Sequence, residues 1–146
     1  MKKILAMAAA ALLAMAGTAM AAGTGDLTVT AEVVGVCTMT GGSLNFGNLD
    51  PTNPVAVSGN STGVTVTCTN GTSYSLTGNN GINPSGTQKR LANGSNYIPY
   101  SITIPASGTG TGAPVGVTIT GNIAAGAYTS SPAGTYTDTV TLSVNP

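Results

Sequence analysis

Histidine and tryptophan are missing from this 146-residue sequence, phenylalanine occurs once, and only 5% of the residues are charged. Each scarcity removes a class of function. Without histidine the commonest general base at neutral pH is gone, and the carboxylates Asp26, Glu32, Asp50 and Asp138 are widely spaced. Asp50 and Asp138 could in principle meet in space as a glycosidase pair. The plainer reading is that Asp50 opens an Asp-Pro turn and Asp138 lies near the start of a strand. No DxDxD-like spacing offers a calcium loop. Two cysteines without histidine make a poor zinc cage. The single phenylalanine argues against an aromatic sugar-binding platform, although Tyr97, Tyr100 and Tyr128 remain available for one. No catalytic residue, metal or cofactor is expected, and the chain does not read as an enzyme.

Basic residues are equally scarce. Of the four Lys and Arg, Lys2 and Lys3 precede an uncharged, alanine-rich run from Ile4, and Ala19-Met20-Ala21 has the small-x-small form of a cleavage site. Residues 1–21 are therefore expected to be a cleaved secretory signal. The run has few Leu or Ile and no basic anchor after it, unlike a membrane span, and nothing downstream could span a bilayer. The remainder, about 125 residues from Ala22, is one domain's worth. It keeps only Lys89 and Arg90 as cations, which excludes nucleic-acid binding. In an oxidising compartment Cys37 and Cys68 read as one disulfide, with a metal site as the weak alternative.

What is abundant is Gly, Thr, Ser and Asn between short alternating stretches. Val64–Cys68, Tyr74–Leu76, Ser101–Ile104 and Val115–Thr120 read as strands. Asp50-Pro51, Asn53-Pro54, Asn70-Gly71, Asn80-Gly81 and Asn93-Gly94 carry turn chemistry. Short strands at this spacing predict an all-β sandwich. Residues 107–112 (SGTGTG) are the best candidate for a mobile loop. The polar segment Asn79–Asn96 is expected to run over the surface, with Lys89 and Arg90 in a solvated loop.

The two ends hold the strongest patterns. In GDLTVTAEVVGVC (Gly25–Cys37), Leu27, Val29, Ala31 and Val33 alternate with polar residues. Then Val34 and Val36 take the opposite phase across Gly35. Either a β-bulge interrupts one self-contained strand, or the first stretch pairs with another chain and the second begins this chain's own body, with Gly35 as a permissive joint. At the other end, Gly134–Pro146 reads as the clearest strand. Tyr136, Val140, Leu142 and Val144 share one face, and Asp138 falls in their phase, where solvent or a backbone donor would satisfy it. No residues follow for a hairpin back.

An alternating strand shortly before the first Cys, a second Cys closing VTVTC, and a terminal G-x-Y-x-D-x-V-x-L-x-V together resemble the spore coat U family, which includes subunits of archaic chaperone–usher pili. The likeness is strongest at Leu27–Cys37, Thr65–Cys68 and Gly134–Val144. The resemblance implies an incomplete immunoglobulin-like sandwich lacking its last strand and completed by donor-strand exchange. A periplasmic chaperone would lend a strand first, and the next identical subunit would replace it at an outer-membrane usher. On that reading residues 22–35 are a donor segment presenting Leu27, Val29, Ala31 and Val33. Residues 36–146 are the pilin domain, whose acceptor groove is lined by Tyr136, Val140, Leu142 and Val144. The expected product is a homopolymeric surface pilus, exported through the periplasm and serving adhesion or biofilm formation. The alternatives are a self-contained secreted coat protein without strand exchange and, far behind, an extracellular hydrolase or sugar-binding module.

Overall fold

The structure, a computed structural model, describes residues 22–146; the expected signal, residues 1–21, lies outside them. Every regular element among the described residues is a strand, and no helix long and apolar enough to cross a membrane occurs among them. The chain divides into two units, Met1–Glu32 and Val33–Pro146. In the first, residues 22–32 form no strand and are exposed.

The second unit contains β1 (Cys37–Thr40), β2 (Ser43–Leu44), β3 (Val57–Thr62), β4 (Thr65–Cys68), β5 (Ser73–Gly78), β6 (Lys89–Asn93), β7 (Asn96–Thr103), β8 (Ser107–Thr109), β9 (Val115–Gly116), β10 (Thr120–Ile123) and β11 (Leu142–Asn145). One group runs β1-β4-β9 and a second β2-β3-β10-β7-β6, all antiparallel. Their first three members correspond: β1 with β2, β3 with β4 and β9 with β10 are successive pieces of three long strands. Backbone bonds bridge the breaks, from Val117 N–H to Val64 O (2.9 Å) and from Ser61 N–H to Ile119 O (2.8 Å). With β7 alongside, the order is that of the A-B-E-D sheet of an immunoglobulin-like sandwich. The facing layer is β11-β5-β8. There β5 and β11 hold the places of C and F, and no strand among the described residues holds the place of G.

Side chains fill the space between the layers in two clusters. Val66, Cys68, Tyr74 and Leu76 form one, with Met39, Ile104, Val117 and Val144 packed on it. Ile98, Tyr100, Ile123 and Tyr128 form the other, with Phe46, Leu49, Leu91, Tyr136 and Val140 against it. Cys37 and Cys68, directly paired across β1 and β4, are joined as a disulfide. Closing a loop of 31 residues contributes about 4 kcal/mol on the chain-entropy account.

Four expectations change. Residues 107–112 are no mobile loop: β8 pairs with β5, and Gly110 is buried, its N–H donating to Thr72 O at 2.7 Å. The missing side chain permits this, since a Cβ at Gly110 would stand 2.6 Å from the Cβ of Cys68. Nor is Lys89-Arg90 a solvated loop, because it opens β6, which pairs with β7 through a Gly94-Ser95 turn. The left-handed φ of Gly94, 58°, suits a tight hairpin. The Arg90 guanidinium lies over the Tyr97 ring, 4.0 Å from its centre, and donates to the carbonyls of Asn83 and Pro84, which holds the polar segment down. The stretch Val115–Thr120 divides between β9 and β10. The terminal strand is shorter than its pattern. Only Leu142–Asn145 forms a ladder, with β5, while Thr137 bridges to Ala92 of β6. Side-chain burial nevertheless alternates from Tyr136 to Val144, because this segment passes from one layer to the other.

Candidate functional site: an open apolar cleft and an exposed arm

A cleft lies between the first segment of the body, which is interrupted within its sheet, and the last, which passes from one layer to the other. In the first, Gly41-Gly42 separates β1, paired with β4, from β2, paired with β3. In the last, residues 138–141 separate the bridge to β6 from the ladder with β5. Thr141 turns its backbone toward β5, donating to Asn79 Oδ1 (2.9 Å) and accepting from Asn79 N–H (3.0 Å). Strand alternation therefore points the N–H and C=O of Val140 and Leu142 the other way, into the cleft. Across it, Val36 O accepts from Thr69 N–H at 2.9 Å, so the same alternation turns the amides of Cys37, Met39 and Gly41 outward from β4. Two unpaired edges face one gap.

The gap comprises two adjoining cavities of about 460 and 530 Å³, which share Leu44, Phe46 and Leu91 as lining. Met39, Val64, Ile119, Val140 and Leu142 also line the first. Leu49, Ile98, Tyr128 and Tyr136 also line the second. Of the residues assigned from sequence to the groove, Val140, Leu142 and Tyr136 line the cavities. Val144 packs instead on the cluster around Val66. The opposite wall, Met39, Leu44, Phe46 and Leu49, escaped sequence reading, although the alternation of Leu44 and Phe46 in SLNF was a usable signal.

One ionisable group enters the wall. The Asp138 carboxylate accepts from the Tyr100 hydroxyl (2.7 Å) and from Ile82 N–H (2.9 Å), so a backbone donor and a phenol satisfy it. Burial, reinforced by the Asp138 carboxylate, pushes the Tyr100 phenol well above its ordinary value. Asp50 lies in a surface turn, where the Thr52 hydroxyl, then the Thr52 N–H, holds its carboxyl below the usual range.

The arm residues are presented to solvent: Leu27 is 86% exposed and Val29 81%. Ala31 is exposed, as is Val33, the first residue of the second unit. Just beyond, Thr69 fixes the chain to the body. Its Oγ1 donates to Val34 O (3.2 Å) and accepts from Val36 N–H (3.1 Å). At Gly35 the chain passes close to the body, since a Cβ there would be 3.0 Å from Thr72 Oγ1.

These features define a class: an immunoglobulin-like β-sandwich with the last strand position open and an apolar cleft in its place. The Spore Coat Protein U domain matches residues 23–143, and the chain belongs to that family. Among solved structures, one similar chain comes from the crystal structure of the CsuC–CsuE chaperone–tip adhesion subunit pre-assembly complex of archaic chaperone–usher Csu pili of Acinetobacter baumannii. It is 25% identical with a TM-score of 0.49, over 77% of this chain and 40% of that one. This chain thus spans less than half the length of that neighbour. No curated protein matches it.

Proposed function

We propose that this protein is a structural subunit of a surface pilus, assembled by the chaperone–usher pathway through donor-strand complementation. Residues 1–21 direct export, residues 22–35 are the donor segment, and residues 36–146 are the acceptor body. The observation that carries the reading is the pair of complementary surfaces: an apolar cleft between two unpaired strand edges, and an alternating apolar arm whose Leu27 and Val29 are exposed. Leu27, Val29, Ala31 and Val33 of one copy enter the cleft of the next and meet Tyr136, Val140 and Leu142.

Burying one Leu, two Val and one Ala contributes roughly 5–8 kcal/mol as an upper value. Each added strand hydrogen bond contributes about 1 kcal/mol. A strand in the gap pairs on both sides, so the junction completes the acceptor's own core. An open cleft with free edges invites aggregation, which gives a periplasmic chaperone its task of covering the cleft until an outer-membrane usher exchanges it for the arm. The filament's role is then adhesion or biofilm formation at the cell surface.

The test is purification of the mature chain, followed by electron microscopy and size-exclusion chromatography after prolonged dilution. Long-lived linear polymers are expected. A stable monomer whose cleft is closed by its own residues 22–33 would overturn the proposal.

A further inference from the structure

The donor reading leaves open how the arm finds one register along a cleft where every second residue is apolar, and the inference here rests on that reading. Among the described residues Asp138 is the one carboxylate lining the two cavities, and at its level it is held between Tyr100 Oη at 2.7 Å and Ile82 N–H at 2.9 Å. A branched side chain pressed against this level would displace water from the carboxylate and supply no donor in exchange. Along the arm's inward phase only Ala31 lacks a branch.

We propose that the Tyr100–Asp138 pair sets the register of the incoming arm, accepting Ala31 and refusing leucine or valine, with the arm antiparallel to residues 136–144. Val29 then lies opposite Val140, Leu27 opposite Leu142, and Val33 opposite Tyr136, so all three branched side chains meet apolar wall. The parallel orientation with Ala31 at the same level puts Leu27 opposite Gly134 and requires Gly35 to reach Leu142. Gly35 is not free to do so. Its neighbours Val34 and Val36 are hydrogen-bonded to Thr69 of their own body at 3.2 and 3.1 Å. In the antiparallel register the last inserted residue, Val33, precedes that anchor. A slip of two residues either way would set Val29 or Val33 against the carboxylate.

The test is disulfide trapping in the mature full-length chain, where the native cysteines are joined to each other and none is free. The double variant V29C/V140C should give chain-linked ladders on non-reducing gels, at least tenfold stronger than the slipped pairs L27C/V140C and A31C/V140C. A slipped pair that links as well overturns the register. Absence of polymers from the unmodified chain overturns the donor reading instead. Ala31→Leu should speed polymer dissociation tenfold or more, as overpacking of a built interface does. Thr30→Leu, in the outward phase, should not. Adding Asp138→Ala to Ala31→Leu, with the fold checked by circular dichroism, should return dissociation to within about threefold of the original. Ala31→Leu polymers as durable as the original, or no recovery in the folded double variant, would overturn the role of the pair.

Discussion

Replacing Val29 by aspartate is the sharpest perturbation of the proposed junction, because the side chain is 81% exposed and takes no part in either core cluster. In the proposed register it would lie opposite Val140, whose side chain offers no hydrogen-bond donor. The carboxyl would then have to be protonated on insertion, which at pH 7 costs roughly 4 kcal/mol for a group of ordinary pKa about 3.9. Loss of the buried valine adds roughly 2 kcal/mol. The sum, about 6 kcal/mol, corresponds to about four decades in dissociation. The assay is the polymer fraction by size-exclusion chromatography across a dilution and pH series, beside the unmodified chain at each pH. The variant should be monomeric or aggregated at pH 7. Near pH 3 the protonation cost disappears, and the gap should shrink to about one or two decades. Polymers of unmodified durability at pH 7 would refute the reasoning, as would a defect insensitive to acid.

Other consequences concern the body alone. Tyr100, whose phenol is raised by burial and by Asp138, favours its neutral form in the fold. Its contribution is complete below pH ~10 and is lost as pH climbs above that value. Chemical denaturation should therefore show an alkaline decline that Tyr100→Phe flattens, while costing about 1.5–3 kcal/mol for the hydrogen bond to Asp138. Asp50 has the opposite sign: its lowered carboxyl stabilises above pH ~4 and ceases to as pH falls further. An acid titration of Asp50→Asn should therefore be flatter than that of the parent. At Gly121 a Cβ would stand 2.7 Å from Phe46 Cζ, so Gly121→Val should cost about 1–3 kcal/mol in denaturant titration. Replacing both cysteines by serine should remove about 4 kcal/mol, read as a lower denaturation midpoint with a changed slope.

Much of the fold is legible in the sequence because local chemistry and tertiary place agree. VTVTC alternates and becomes β4, its inward residues Val66 and Cys68 nearly fully buried at 1% and 2% exposure. Asn-Gly pairs at 70–71, 80–81 and 93–94 end in glycines with left-handed φ. The errors have a common source. SGTGTG and the Lys89-Arg90 stretch look like loops because composition reports side chains, and these strands are held by backbone and by long-range contacts. Gly110 lies against Cys68 where no side chain fits, and Arg90 is fixed by Tyr97 and by two carbonyls. For the cleft, the terminal pattern pointed to Tyr136, Val140 and Leu142, while on the opposite wall Met39 lies on a four-residue strand broken off at Gly41-Gly42, and only the short alternation of Leu44 and Phe46 offered a signal. The partner of Asp138 was beyond reach, since Tyr100 is 38 residues away in sequence.

Why the cleft is open at all follows from a break in the first segment and a crossover in the last. A strand that stays in one sheet presents one edge along its whole length, and a neighbour within the same chain can cover it. Here the first segment stays beside the one long strand that β3 and β4 make but is interrupted at Gly41-Gly42, and the last leaves β6 for β5 across residues 138–141. Gly41, Gly42, Asp138, Thr139 and Val140 line the same cavity, so the break and the crossover occur at one level. A side chain at Gly42 would run into Val64 N, 2.7 Å from the Cβ position, so the break in the first segment depends on glycine. Gly42→Val should therefore reshape this edge before it disturbs the disulfide-linked end. Hydrogen exchange can check the order: amides of β2 and β3 should lose protection while those of β1 and β4 near Cys37 and Cys68 keep theirs. Uniform loss across both pairs would mean that the break is not a separable joint within the sheet.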